Sequence, residues 1–119
     1  MGDPKKEIRE FETGATRNTD EGKLDYEGFL SPTVLLEFAK YMNKHRKQSD
    51  GKMRDSDNWQ KGIPPDVYMK SMWRHFMDLW LEHRGHKSRD GIKEALDGLL
   101  FNVMGFYHEW LKEHPEGTY

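Results

Sequence analysis

Two helix-length stretches joined by a very short polar connector constrain this chain more than anything else in it. Pro64-Pro65 opens the first. Its apolar residues Val67, Tyr68, Met69, Met72, Trp73, Phe76, Met77, Leu79, Trp80 and Leu81 follow at helical spacing as far as Arg84, and Gly85 stops it. Ser88 or Asp90 caps the second, which should run to His114 before Pro115 ends it. The connector Arg84-Gly85-His86-Lys87-Ser88 suffices for a tight reversal, so the spacing predicts an antiparallel helical hairpin.

So wide an apolar arc predicts that the first helix is mostly buried, with one narrow polar wedge of Ser71, Arg74, His75, Asp78 and Glu82. On the second helix, Ile92, Ala95, Leu96, Leu99, Val103, Phe106, Tyr107 and Trp110 make the apolar arc. Glu94, Asp97, Gly98, Phe101, Gly105 and His108 lie opposite. His75-x-x-Asp78 and Glu94-x-x-Asp97 each put two side chains on one helix face. Facing each other across the hairpin, the pairs form a donor set of the kind that helical bundles use for divalent metal ions. The competing account is a thin solvent-facing stripe. Gly98 and Gly105 each cost about 1 kcal/mol relative to alanine inside a helix. Close approach of another helix or of a ligand is therefore expected there.

The rest of the chain reads as support. Residues 1–12 are charged and aperiodic, a mobile arm. Residues 13–29 are dense in Gly, Thr, Asp and Asn, which favours turns and extended backbone. They form either a solvated leader or a lid whose Arg17, Lys23 and Asp25 reach a ligand. Ser31-Pro32 begins an amphipathic helix over 32–47, with Val34, Leu35, Phe38, Tyr41 and Met42 as core. Residues 48–63 make a long polar connection. In it Trp59, among Arg54, Asp55, Asn58 and Lys61, either plugs one end of the core or offers a face for base stacking.

Composition excludes several classes. A net charge of -2 gives no basic footprint for nucleic acid or an anionic membrane. The absence of cysteine rules out disulfides and thiolate metal sites and fits a reducing cytoplasm. No apolar run reaches transmembrane length and no signal-peptide core is present, so a cytoplasmic protein is expected.

The stretch Glu94-Ala95-Leu96-Asp97-Gly98-Leu99-Leu100-Phe101-Asn102 resembles the second metal-binding helix of MazG-like all-α nucleoside triphosphate pyrophosphatases, which pair E-x-x-E with E-x-x-D. Here His75 and Asp78 stand where the first pair would be. The wider set, Thr19-Asp20-Glu21-Gly22-Lys23, Asn58-Trp59-x-x-Gly62 and Arg74-His75, is similar to the N-terminal family of phage-associated dATP/dGTP diphosphohydrolases. The resemblance implies hydrolysis of a purine (deoxy)nucleoside triphosphate to monophosphate and pyrophosphate with Mg2+, in the host cytoplasm if the chain is phage-encoded. It implies Asp78, Glu94 and Asp97 as metal ligands and Glu82 as a fourth ligand or the general base. Arg74 and Lys23 would meet the phosphate chain and Trp59 or Asn58 the base, with Arg17 and Lys61 among the substrate-binding residues. His75 would contact phosphate, orient a carboxylate or act as the base. An imidazole in the set suits Mn2+ better than Mg2+, and it keeps open nucleotide binding without cleavage.

The expectation is an all-α bundle of three main helices over residues 13–119 with an extended N-terminal segment. Apolar arcs this wide exceed what so small a chain covers, so a homo-oligomer is expected. The alternatives are a non-catalytic, nucleotide-sequestering protein and a structural helical interaction module.

Overall fold

The reversal between the two long helices falls where Gly85 places it. In the computed structural model, which describes residues 8–19 and 21–118, Gly85 adopts φ +85°, where a side chain would be strained. Its N–H donates to the Glu82 carbonyl at 3.1 Å, and the His86 N–H donates to the Leu81 carbonyl at 2.8 Å. These two bonds satisfy orphan carbonyls and end the helix in a Schellman motif.

The chain is mainly helical and divides into two compact units, Met1–Pro32 and Thr33–Tyr119. In the first, β1 (Ile8–Glu10) pairs antiparallel with β2 (Thr16–Asn18), setting Arg9 opposite Arg17. Gly14, at φ +86°, makes the tight turn between them. This hairpin is absent from the all-α expectation, because three-residue strands are too short to show an alternating pattern. Of the arm expected over 1–12, residues 1–7 lie outside the described residues. A short helix α1 (Tyr26–Phe29) follows, its Gly28 N–H held by the Asp25 carboxylate at 3.0 Å.

Helix α2 (Pro32–Lys44) begins where Ser31-Pro32 predicts and stops three residues short of the predicted 47. Beyond it Lys47 bridges Met53, with Gly51 at φ +86° turning the chain. Part of the polar connection is thus an ordered turn. A 3-10 helix (Asn58–Lys61) leads into α3 (Pro65–His83) and α4 (Gly91–Glu113), and a 3-10 turn (Pro115–Thr118) ends the described chain. Asp90 occupies the cap position of α4 without a side-chain bond. Ser88 Oγ accepts the Gly91 N–H at 3.2 Å instead.

The packing of α3 on α4 leaves exposed much of the apolar arc that was expected to make α3 mostly buried. Tyr68 and Asp78 are buried and Ser71, His75 and Glu82 half-buried, while Met69, Phe76, Met77 and Trp80 are exposed and Trp73 is 67% exposed. On α4 the buried residues are Ala95, Asp97, Gly98, Asn102 and Gly105, with Leu96, Val103, Tyr107 and Trp110 exposed. The physical reason is size. A Cβ on Gly98 would come within 2.5 Å of His75 Nδ1, and one on Gly105 would come 2.6 Å from the Tyr68 hydroxyl. The two contacts lie seven residues apart on each helix, two turns of an antiparallel pair. The two glycines admit bulky rings where larger residues would hold the helices apart. Helix approach is thus the reason these glycines were expected to have. Among the described residues, no helix is long and apolar enough to cross a membrane.

Candidate functional site

His75 of the α3 wedge packs on Gly98 of the α4 acidic arc, and three carboxylates stand on these two helices: Asp78, Asp97 and Glu94. Each is tied to a cation of the same chain. Asp78, 8% exposed, accepts from Arg89 Nη2 at 2.5 Å and Nε at 3.0 Å. Asp97, 7% exposed, accepts from Lys93 one helical turn earlier at 2.7 Å. Glu94 accepts from Lys44 of α2 at 2.6 Å. In each pair the cation is the more exposed partner, so acids point inward and cations lie outward. This is how charge is kept beside apolar surface. The hydrogen bond from Lys44 holds the Glu94 carboxyl below its usual range. The bond to Asp97 raises Lys93.

His75 packs against Gly98 of α4. Burial lowers its pKa first, with the Arg89 charge second, and Asp78 opposes them. The result favours a neutral imidazole. Glu82, a candidate base or ligand by sequence, spends Oε1 on the turn. It accepts from the Ser88 N–H at 3.1 Å and from the Ser88 hydroxyl at 2.9 Å. Arg74 is exposed on the outer side of α3. Arg17 and Lys23 belong to the first unit and are exposed there. Asp20 of the Thr19–Lys23 motif lies outside the described residues.

Asn58 and Trp59 line a cavity of about 370 Å³ beside α2 and α4, with Tyr41, Met42, Ile63 and Phe101 as its apolar and aromatic lining. Trp59 packs edge-on against Phe101 at 6.3 Å and His108 at 4.8 Å between ring centroids. It therefore packs on α4 and also walls the cavity. Lys61 lies outside the cavity lining and pairs loosely with Asp55 at 3.8 Å. Lys112 Nζ donates to the Gln60 carbonyl at 3.1 Å and fixes the 3-10 helix to α4. The Tyr41 phenol, raised first by burial and then by the charges of Glu94 and Asp97, links cavity and acids.

Sequence reasoning missed the cations. Arg89, Lys93 and Lys44 stand at positions where a surface helix ordinarily carries charge, and the i,i+4 spacing of Lys93 to Asp97 was the one available signal. The oxygen donors of Asp78, Glu94 and Asp97 suit a hard divalent cation. Among the described residues, however, no three His, Asp or Glu groups are gathered as a ready metal cage. A bound metal would have to displace the chain's own cations. No protein-family model, curated protein or solved structure matches this chain.

Proposed function

We propose that this chain is a metal-dependent pyrophosphohydrolase of purine (deoxy)nucleoside triphosphates, of the MazG-like kind. One observation carries the reading. Asp78 and Asp97 are buried acids on the paired helices α3 and α4, His75 with its lowered pKa packs on Gly98 between them, and an aromatic cavity containing Trp59 and Asn58 adjoins the same helix α4. A purine stacked in that cavity leaves its phosphates to reach the acids and the cations Lys44 and Lys93. Mg2+, held by Asp78, Glu94 and Asp97, would neutralise charge on the leaving pyrophosphate.

The residues divide the rest of the work. Water attacks the α-phosphorus, its proton passes to His75 or to Glu82, and the bond to the α,β-bridging oxygen breaks as pyrophosphate leaves. The exposed apolar arcs of α3 and α4 fit a homo-oligomer in which copies cover these faces.

The ion pairs favour one competing reading, a protein that binds the nucleotide without cleaving it. Metal-dependent pyrophosphate release from dGTP or dATP separates the two. Release abolished by EDTA is the expected result. Nucleotide binding that survives EDTA, with no pyrophosphate formed, would replace the enzyme with the binder.

A further inference from the structure

The wall of the aromatic cavity formed by the end of α2 and the following turn is built by two arginines that hold each other in place. Arg54 donates its backbone N–H to the Arg46 carbonyl at 2.8 Å. Arg46 returns the bond through Nε to the Arg54 carbonyl, also at 2.8 Å. Arg54 Nη1 donates to the His45 carbonyl at 3.1 Å. The turn carrying them is closed by the Lys47–Met53 bridge and by the bond from the Gln48 N–H to the Lys52 carbonyl at 2.8 Å. Each side chain spends one of its five N–H donors on this lock, and both line the cavity that Trp59 walls. Two pre-positioned guanidinium groups, donors with no acceptor, therefore face a space of about 370 Å³.

We infer that Arg46 and Arg54 make this cavity a reader of 6-oxopurines, so that guanine is preferred over adenine. The inference rests on the proposed nucleotide reading and deepens it. Guanine presents two adjacent acceptors, N7 and O6, which a guanidinium meets with two parallel donors. Adenine replaces O6 with a donor amine, which leaves an arginine N–H facing an N–H. Asp55 lines the same cavity, and its ion pair with Lys61 at 3.8 Å is long and exposed. Its carboxylate is thus available to accept from the N1–H and 2-amino groups, which adenine lacks.

The test compares dGTP, dITP, 7-deaza-dGTP and dATP on the unaltered protein with Mg2+. The readout is kcat/KM where pyrophosphate is released and Kd by calorimetry where it is not. The expected result is a preference of about tenfold or more for dGTP over dATP, with dITP siding with dGTP and 7-deaza-dGTP weakened. Arg46→Met should erase the preference, and the analogue series guards against a variant that fails to fold. Equal handling of dGTP and dATP overturns the inference and leaves the nucleotide reading standing. Absence of both binding and turnover for every nucleotide overturns the two together.

Discussion

His75 packs its imidazole against Gly98, so tightly that a Cβ on the glycine would come within 2.5 Å of Nδ1. The contact places an ionisable ring at the helix interface and fixes how closely α3 and α4 approach.

Gly98→Ala tests that contact. Alanine should favour the helix by about 1 kcal/mol, but the ring leaves no space for it. A net loss of about 1–3 kcal/mol in urea unfolding is expected. Adding His75→Ala should recover part of the loss, with a coupling of about 0.5–3 kcal/mol. Additive effects would show that the ring and the glycine are not in contact.

The same burial sets a pH dependence. His75 has a lowered pKa in the folded protein, chiefly through burial and then through Arg89. The unfolded chain therefore binds the proton more readily. The contribution of His75 to stability is complete above the unfolded value of 6.5 and is lost as pH falls through the lower, folded value. Glu94, lowered by Lys44, acts the same way from 4.5 downward, so the two windows separate. Urea midpoints of the unaltered protein should decline as pH drops from neutrality towards 5, and His75→Asn should flatten that decline. An unchanged slope in the variant would remove His75 as its source.

The cations held against the acids predict a competition. Lys93→Met removes the partner of Asp97, and Mn2+ affinity should rise by up to about fivefold, the size of an exposed ion pair. Mn2+ binding followed by electron paramagnetic resonance gives the constant. Weaker or unchanged binding would mean that Asp97 is not a ligand.

Trp73, 67% exposed, and Phe76, packed edge-on against it at 6.4 Å, lie on the uncovered face of α3. Sedimentation should find assemblies larger than the 14.2 kDa chain, and a Trp73→Lys, Phe76→Lys double variant should sediment as single chains. A monomer before substitution would refute the oligomer.

Local signals reported the helices well. Pro65, Gly85 and the 3.6-residue period located α3 and α4 to within a residue or two, because caps and breakers act through near neighbours. Burial of the apolar arc was overestimated because hydropathy ranks side chains by transfer from water, whereas Gly98 and Gly105 select the approach by size. Asp78 also became tolerable inside only through Arg89, eleven residues away across the turn. The β1–β2 hairpin was hidden by strands of three residues. Of the residues singled out for the site, His75 packs on Gly98 of α4, and Asp78 and Asp97 are buried, each on a cation of its own. The ties of Glu82 to Ser88 and of Arg46 to Arg54 depend on loop geometry that spacing does not encode.

The most direct measurement is pyrophosphate release from the eight common nucleoside triphosphates with Mg2+, with Mn2+ and with EDTA, for the unaltered protein and for Asp78→Asn and Asp97→Asn. Release confined to purine nucleotides, dependent on metal and lost in both variants, is the predicted result. Full release by both variants would contradict the acids' role. No release from any nucleotide would contradict the enzyme itself.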